Sequence, residues 1–189
     1  MHGGTGLPVV IRSIRPEEHA ELGELTVRVY RQVLASELET YAAVVRDVDA
    51  RLAAGCEVVV AVTGDASAGD AVVGGVTYVP GPGPYAQLID EDEAEVRMLV
   101  VEPGLHGLGL GRSLMQACID RAAGAGKGAL TLGTMPAMAA AQVLYRRMGF
   151  ERRPELDTQI PGGAPLWCYS LDLEERASTS SRVGTRRPT

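Results

Sequence analysis

The sequence predicts a single α/β domain built on one mixed sheet of about seven strands. Three observations carry this prediction. Apolar β-branched runs alternate with segments in which apolar residues recur every three or four positions. An apolar run at 94–101 passes through a glycine-rich turn into a helical pattern from residue 111. The chain of 189 residues, 46% of them apolar, is long enough for one buried core.

The first half of the chain predicts a strand, two helices and a strand pair. Residues 9–15 alternate and are β-branched, and Pro16 followed by two acids is typical of a helix start. Gly55 is expected to end the second helix. A polar turn at 65–70 indicates a hairpin. The predicted bounds are strand 9–15, helices 16–34 and 37–54, and strands 56–64 and 71–80.

The second half begins with a loop at 81–93 that is rich in Gly, Pro and acids. The strand, helix, strand, helix order that follows predicts a right-handed crossover and locally parallel strands. The predicted bounds are strand 94–101, helix 111–124, strand 128–135, helix 137–148, and strands 150–160 and 165–173. The residues expected to face inward in the first of these helices are Leu114, Cys118 and Ile119. In the second helix the residues that share one side are Ala137, Ala141, Leu144 and Met148.

The pattern contains no internal repeat and no second domain. We expect a flexible segment at 1–7, one domain over 8–173, and a disordered tail at 174–189 that is rich in Ser, Thr and Arg.

The charge of the chain argues against two classes of partner. The formal net charge is −6 and no long Lys/Arg run is present, whereas nucleic acids and anionic membranes are held by clustered positive charge. No stretch reaches the roughly 18 apolar residues of a membrane span, and the first residues lack an apolar signal segment. We therefore expect a soluble protein with no nucleic-acid and no membrane partner.

The cysteines predict a reducing environment. Cys56, Cys118 and Cys168 lie far apart in apolar surroundings, without CxxC or Cys/His spacing. This pattern favours buried, reduced thiols over disulfides or a zinc site. We expect no metal and a cytoplasmic location.

The stretch VEPGLHGLGLGRSLM at 101–115 joins a strand to a helix through a glycine-rich turn. Backbone N–H groups and the positive end of a helix dipole converge at such a turn and hold phosphate. Gly107, Gly109 and Gly111 alternate with Leu108 and Leu110, which we expect to anchor the turn on the core. A tight turn without a ligand is the alternative, and the glycines alone leave both open.

Two other phosphate-binding motifs do not fit. A Walker loop requires Gly-Lys-Ser/Thr, but the pair Gly126-Lys127 is followed by glycine and lacks the first glycine of the motif. A dinucleotide fold requires an acid at the end of the next strand, and that strand ends at Thr134 without one. A dinucleotide-dependent oxidoreductase is therefore disfavoured.

Two motifs together resemble the GNAT superfamily of acetyl-CoA-dependent N-acetyltransferases. The first is Val101-Glu102-Pro103 followed by His106-Gly107-Leu108-Gly109-Leu110-Gly111, which is similar to the family's acetyl-CoA motif. The second is Ala141, Leu144-Tyr145 and Gly149-Phe150, which is similar to its later signature. Both occur in the family's order and spacing, over about residues 8–173. The resemblance implies the GNAT fold, with helices on both faces of the sheet and a splayed strand pair.

The resemblance also implies the acetyl donor and its contacts. Acetyl-CoA is expected to place its phosphates at the glycine turn and its pantetheine amides along the preceding strand. Arg146 and Arg147 are further candidates for the phosphates, although a solvated position is expected for at least one of them. The expected cofactor-binding residues are Met98, Leu99, Val100, Val101, His106, Gly107, Leu108, Gly109, Leu110, Gly111, Arg112 and Ser113.

Two positions depart from the family pattern. His106 stands where the family usually has Arg or Gln, so its contact to the pyrophosphate depends on a hydrogen bond or on partial protonation. Met138 stands where many members carry Asn, which bears on a polar contact to the pantetheine arm or to bound water.

Transfer to an amine requires a base, because an alkyl amine with a pKa of about 10.4 is protonated at neutral pH. Glu95 is the expected base. Strand alternation places it on one face with Arg97, Leu99 and Val101, close to the expected acetyl group. A surface carboxylate beside the acidic run 90–93 is the alternative, and that run would also attract a cationic amine.

Two further groups are expected to assist. A backbone N–H around Leu99 or Val100 would donate to the carbonyl oxygen as negative charge develops there. Tyr145 resembles the family's tyrosine general acid, which protonates the departing thiolate. A buried core tyrosine is the alternative for Tyr145.

Substrate choice is expected to lie in the two early helices and the loop at 80–93. Tyr30, Tyr41 and Tyr85 are candidates for lining an amine pocket, with ordinary packing as the alternative for each. The resemblance implies direct transfer, in a ternary complex, to a small-molecule or peptide amine, and a homodimer is compatible with it. The rival hypothesis is an acyl-CoA-binding regulatory module on the same fold that has no turnover.

Overall fold

The computed structural model describes residues 8–34, 37–65, 69–160, 163–174 and 176. Within these ranges the chain forms an open sheet of eight strands and five helices. The strands are β1 (Val9–Ser13), β2 (Glu57–Asp65), β3 (Gly69–Val79), β4 (Glu93–Val101), β5 (Ala129–Thr134), β6 (Glu151–Arg152), β7 (Thr158–Gln159) and β8 (Pro165–Asp172). The helices are α1 (His19–Tyr30), α2 (Glu37–Arg46), α3 (Val48–Ala53), α4 (Leu110–Gly124) and α5 (Ala139–Arg147).

The sheet has the strand order β1-β2-β3-β4-β5-β8-β6, and β7 pairs with β8 beside this row. Neighbouring strands are antiparallel except for β4 and β5, which are parallel and connected through α4. The predicted mixed sheet with a locally parallel pair is confirmed. The predicted strand 150–160 is instead divided into β6 and β7. Pro154 begins a 3-10 turn between them and has no N–H for a ladder bond.

Helices cover both faces of the sheet, as the resemblance implies, and each face has its own core. Successive residues of β2 alternate between the two cores because strand side chains point to opposite faces. The first core joins α1, α2 and α3 to β2 and includes Leu22, Leu25, Tyr41, Val45, Val48, Val58, Val60 and Val62. The second joins α4 to β2 and includes Leu114, Met115, Cys118, Ile119, Val59 and Ala61. The inward-facing residues predicted for α4 are therefore confirmed.

Strand β4 leaves β5 halfway along its length. Residues 93–96 pair in parallel with 129–132, and the pairing ends there. Strand β4 nevertheless continues to Val101 and stays paired with β3 as far as that residue. The splayed strand pair is therefore confirmed, and the gap opens immediately after Val96.

A bulge in β4 accompanies the separation. Arg97 pairs with Thr77 while Val100 pairs with Gly75, so three steps along β4 match two along β3. Met98, inside this bulge, has a φ of 54°. This left-handed conformation costs a residue with a Cβ about 1–2 kcal/mol. The bulge is a form of local strain that occurs beside functional sites more often than elsewhere.

The bulge reverses the side-chain alternation of β4. Beyond it, Val100 belongs to the core under α1, whereas Leu99 and Val101 pack on the side of α4. Glu95 instead lines a cavity on the α1 side together with Arg97. The prediction that Glu95 shares a face with Leu99 and Val101 is wrong, and its sharing a face with Arg97 is confirmed.

Two of the predicted helices have different bounds. The helix predicted over 37–54 is interrupted at Asp47, whose carboxylate accepts a hydrogen bond from the Ala50 N–H at 2.8 Å and begins α3. The helix predicted over 16–34 forms a 3-10 turn at 16–18 and ends as an α-helix at Tyr30. None of the described helices is both long and apolar enough to cross a bilayer.

The inward face of helix α5 matches the predicted side in part. Gln142, Tyr145 and Met148 are buried, whereas Ala137 precedes the helix and is exposed. The Gln142 side chain donates to the carbonyls of residues 135 and 136, at 3.1 Å each, which fixes the start of the helix to the end of β5. Of the predicted side, Met148 is buried, Ala141 and Leu144 pack against the second core while also lining a cleft, and Ala137 lines the cleft alone.

The described chain continues past the domain end predicted at residue 173. Arg176 donates a hydrogen bond from Nη1 to the Met148 carbonyl at 3.2 Å. The segment predicted to be flexible at 1–7 and the tail from 177 onward lie outside the described residues.

Two helix glycines allow the packing of α1 on α2 to be tested. A Cβ on Gly23 would lie 2.4 Å from the Arg46 carbonyl oxygen, whereas a Cβ on Gly124 would meet nothing within 4 Å. We expect Gly23→Ala to lower the free energy of unfolding by about 1–3 kcal/mol, because backbone atoms must shift. Gly124→Ala should leave it unchanged or raise it by up to about 1 kcal/mol. Urea denaturation measures both, and a Gly23→Ala variant as stable as Gly124→Ala would contradict this packing.

Candidate active site

A large cleft opens at the gap between β4 and β5, lined mostly from the α4 side and closed at one end by residues of α1 and the turn after it. Its volume is about 590 Å³. The second half of β4 forms its floor, the turn after β4 and the start of α4 form one wall, and the start of α5 forms the other. The lining residues are Val29, Gln32, Val33, Leu99, Val100, Val101, Leu105, His106, Gly107, Gly109, Leu110, Gly111, Arg112, Ala137, Met138, Ala139, Ala140, Ala141, Leu144 and Arg147.

The glycine turn presents bare backbone to this cleft. Gly107 and Gly109 have φ values of 84° and 83°, and a Cβ on either would meet nothing within 4 Å. The positions are therefore glycine because of the backbone conformation and not because of crowding. Gly109 is the N-cap of the 15-residue α4, so the unpaired N–H groups of its first turn point toward the cleft. The arrangement is that of an anion site.

The two leucines between the glycines behave differently. Leu110 is buried and anchors the start of α4, as predicted. Leu108 is 67% exposed and anchors nothing. Its predicted contact with the core is wrong, because the left-handed glycines on both sides turn the backbone at residue 108 away from the sheet.

Polar side chains at the cleft are few. The His106 ring nitrogen Nε2 lies 3.2 Å from the Val101 carbonyl oxygen, so the ring is held against the end of β4. Arg112 and Arg147 line the cleft, while Arg146 does not, in agreement with the expectation that at least one of the two late arginines is solvated. Ser113 lies within α4 and is not among the lining residues.

A second cavity lies on the α1 side of the same gap. It is a narrow slot of about 40 Å³, with space for only a few water molecules. Met138 lines both cavities, so they adjoin at the separation of β4 from β5. The lining residues are Tyr30, Tyr41, Gln87, Glu95, Val96, Arg97, Met98, Gly133, Thr134, Met135, Met138, Ile160 and Leu166.

Glu95 is the carboxylate of this slot. Its side chain is 1% exposed, and Oε2 accepts hydrogen bonds from the backbone N–H groups of Gln87 and Leu88 at 2.7 and 3.1 Å. Burial raises the pKa of Glu95 above its usual value, and the two amide bonds and the nearby Arg97 oppose that shift. A carboxyl with a raised pKa inside a cavity is suited to exchanging protons.

The predicted substrate tyrosines occupy different places. Tyr30 and Tyr41 line the slot with ring centroids 6.2 Å apart. Tyr85 does not line it, and its backbone carbonyl instead accepts a hydrogen bond from Arg97. Thr134, at the end of β5, contributes a buried hydroxyl that has no hydrogen-bond partner among the described residues.

Tyr145 is buried in the core on the α4 side and lines neither cavity. Its ring packs against Phe150 and Tyr169, at centroid distances of 6.0 and 6.3 Å. Burial raises the pKa of Tyr145 above its usual value, so the phenol is protonated at neutral pH.

A match to a known family model identifies the family of this chain. The model of the acetyltransferase (GNAT) family matches residues 19–150, a range that includes β4, the glycine turn and Tyr145. The chain belongs to this family. No curated protein matches the chain.

Solved structures have the same fold as this GNAT domain. An acetyltransferase of the GNAT family from Staphylococcus aureus Mu50 matches with a TM-score of 0.65 at 15% identity, over 88% of this chain and 99% of that one. Salmonella typhimurium yncA, solved with acetyl-CoA, gives 0.58 at 20% identity, over 88% and 94%. Ribosomal-protein-alanine N-acetyltransferase from Brucella melitensis gives 0.61 at 21% identity, over 86% and 99%.

Sequence reasoning missed part of the cleft of this GNAT domain. Val29, Gln32 and Val33, from the end of α1 and the turn after it, line the cleft. The spacing of apolar residues predicts the helix, but no local pattern indicates that its end contacts a cleft whose other residues all come from position 99 onward. The alanine-rich run at 137–141 could have indicated a wall of the cleft, because small side chains leave space beside the helix that carries them.

The unfolding free energy of the GNAT domain should depend on pH in a way that reflects the burial of Glu95. A carboxyl whose folded pKa lies above its unfolded value binds its proton more tightly in the folded state. The unfolding free energy of wild type relative to Glu95→Gln should therefore be highest below the ordinary pKa of 4.5 and fall as the pH rises through the folded pKa. Urea denaturation of both proteins across this range measures the difference. A difference that stays constant or rises with pH would contradict the raised pKa.

Proposed function

We propose that this GNAT protein transfers the acetyl group of acetyl-CoA to an amine by direct attack in a ternary complex. The observation that carries the proposal is the meeting of two cavities at the gap after Val96. One is a large cleft with a glycine turn, and the other is a slot with a buried carboxylate. Such a gap lets a donor and an acceptor approach from opposite faces of one sheet.

The cleft fits coenzyme A. The N–H groups at Gly107–Arg112 and the start of α4 would hold the phosphates, with Arg112 and Arg147 adding positive charge at its rim. The predominantly apolar floor at Leu99–Val101 suits the pantetheine arm, and β4 has no β5 partner there to occupy its hydrogen-bonding groups. His106, tied to the Val101 carbonyl, would support the turn.

Glu95 would take the proton from the acceptor amine. The bound donor supplies an activated acetyl thioester, which a neutral amine attacks and a protonated one does not. The carboxylate is buried, held by two amide N–H groups, and lines the slot from which the amine would approach. Its raised pKa brings its proton affinity closer to that of the amine than an exposed glutamate would have.

The backbone of β4 would stabilise the negative charge that develops on the carbonyl oxygen. An N–H group at Leu99 or Val100, on the edge that has left β5, is the proposed donor. The bulge at Met98 supports this role because it fixes the direction of the peptide groups that follow.

Tyr145 would return a proton to the departing sulfur. Its phenol is neutral and therefore holds the proton that this role requires. The adjacent Leu144 lines the cleft, so this turn of α5 is already at the donor side.

The acceptor would be a small-molecule or peptide amine with a narrow reactive end. The slot admits only a small group beside Glu95, and the free hydroxyl of Thr134 offers it a hydrogen bond. Similar folds include an enzyme named for a ribosomal-protein alanine and a NatC complex bound to a peptide, the latter with a TM-score of 0.60 at 18% identity. The buried, unpaired thiols of Cys56, Cys118 and Cys168 support a cytoplasmic location.

A second function has one observation in its favour. Tyr145 lines neither cavity, as in a module that binds an acyl-CoA and has lost turnover. The two functions share the cleft and differ in whether thiol is released.

Coenzyme A binding should depend on the conformation of the glycine turn. A Cβ at φ 83° costs about 1–2 kcal/mol, so we expect the turn of unliganded Gly109→Ala to relax out of this conformation. Binding must then restore it, and we expect about five- to thirty-fold weaker binding of CoA by calorimetry. Gly104→Ala, in the same connection but with open space around the Cβ and no positive φ, is the matched control and should bind as wild type does. Equal affinity in both variants would contradict the proposed phosphate site.

Turnover should depend on Glu95 and Tyr145 more than binding does. With acetyl-CoA and a panel of primary amines, we expect thiol release to fall by about 10²–10⁴ in Glu95→Gln. We expect Tyr145→Phe to lower it by about 10² or more, with the CoA dissociation constant unchanged in both variants. Tight CoA binding by wild type without thiol release on any amine would instead establish the silent module. An active wild type with fully active variants would remove these residues from the mechanism.

A further inference from the structure

Arg97 lies beside the proposed base, with most of its side chain removed from solvent. The two residues lie on the same face of β4, and their side chains are 9% and 1% exposed. The Arg97 Nε atom is 3.8 Å from Glu95 Oε1, which is an ion pair without an ideal hydrogen bond. A buried arginine costs free energy unless its donors are used, so the remaining donors of the guanidinium matter.

Those donors reach two other elements. Nη1 donates to the Tyr85 carbonyl at 2.5 Å, and the Cζ atom lies 5.7 Å from the centroid of the same tyrosine ring. Nη2 donates to the Tyr41 hydroxyl on α2 at 3.0 Å. One side chain therefore joins β4, the connection before it and α2, all of which surround the slot.

Glu95 holds the same connection from its other oxygen. Oε2 accepts from the N–H groups of Gln87 and Leu88, two and three residues after the carbonyl that Arg97 binds. The segment 85–88 thus offers an acceptor to the cation and two donors to the anion. This set of contacts is complete only while both side chains are charged.

Resting on the proposed function, we propose that Arg97 is a positioning residue that holds Glu95 and the segment 85–88 in the arrangement in which the carboxylate receives the amine proton. It acts through Glu95 and does not touch the reacting atoms. When Glu95 becomes protonated, its pairing with Arg97 and its two amide bonds weaken. The bonds from Arg97 to Tyr85 and Tyr41 do not depend on that proton and keep the base in place for the next cycle.

The surroundings of Glu95 leave Arg97 as its main electrostatic partner. Among the described residues, Arg97 is the one cation within ion-pair distance of Glu95. Burial raises the pKa values of the two nearest thiols, which are therefore neutral. Arg51, on α3, is buried and bonded to Thr77, the cross-strand neighbour of Arg97. The titratable and charged groups around Glu95 are Tyr30 on α1, Tyr41 on α2, Arg51 on α3, Cys56 before β2, Tyr85 in the connection, Arg97 on β4 and Cys168 on β8.

The test uses the amide protons of Gln87 and Leu88, whose chemical shifts follow the charge of the carboxylate that they contact. Their pH titration by NMR needs no substrate and no turnover. In wild type both should show one transition, and Glu95→Gln should abolish it. In Arg97→Gln we expect the midpoint to rise by at least about one pH unit, because an opposite charge within about 4–6 Å has been removed. An unchanged midpoint in Arg97→Gln would overturn the proposal.

Two further variants separate charge from position. Tyr41→Phe removes one hydrogen bond of Arg97 and keeps its charge, so the midpoint should stay at the wild-type value. Arg97→Lys keeps the charge but cannot make three directed contacts. It should restore the midpoint and still raise the acceptor KM severalfold, with the CoA dissociation constant unchanged. An Arg97→Lys variant with wild-type KM would overturn the positioning role, and it remains informative if Arg97→Gln fails to fold.

Kinetic measurements distinguish a failure of the proposed acetyl transfer from a failure of the proposed role of Arg97. In an active enzyme, the acid limb of kcat/KM should move up with the NMR midpoint in Arg97→Gln. A wild type that releases no thiol with any amine would defeat the proposed function. The shift titration would still decide whether Arg97 controls the charge and place of Glu95.

Discussion

The loss of pairing between β4 and β5 after Val96 is the constraint on which the rest of the structure depends. Parallel pairing up to that residue fixes β4 at one end, and pairing with β3 fixes it at the other. The stretch between has one free edge and faces a different cavity on each side of the sheet. The bulge at Met98 belongs to the same constraint, because it turns the following residues so that Leu99 and Val101 face the α4 side while Val100 stays in the α1 core.

The two sides of the sheet also present different chemical groups at this separation. The α4 side has backbone donors and few charged side chains, which suits a large anionic donor. The α1 side has Glu95 and Arg97 buried together in a narrow slot, which suits proton transfer with little water present. Met138 lines both cavities, whereas Tyr145 is buried in the core on the α4 side. Beside the slot, the backbone of the connection at 85–88 is held by the charged side chains of Glu95 and Arg97.

Much of this was predictable from sequence, and the failures have physical causes. The glycine turn could be predicted from its glycines, because the positive φ values at Gly107 and Gly109 strongly favour glycine at these positions. The sheet and its parallel pair followed from the order of apolar runs. The bulge at Met98 could not be predicted, since an alternating apolar run gives no sign of an inserted residue. For that reason Leu99 and Val101, which follow the bulge, were wrongly placed on the same face as Glu95. The contacts of Arg97 with Tyr41 and Tyr85 are long-range, and no local pattern encodes them.

The proposed function requires coenzyme A to occupy the large cleft at the gap after Val96 and leaves the slot beside Glu95 to the acceptor. Backbone amide chemical shifts, followed by NMR during titration with coenzyme A, show which of the two cavities is filled. We expect the changes to concentrate at residues 99–101 and 107–112, with Gln87 and Leu88 beside the slot little affected. Changes centred on Gln87 and Leu88, with the glycine turn unaffected, would contradict this placement of the donor.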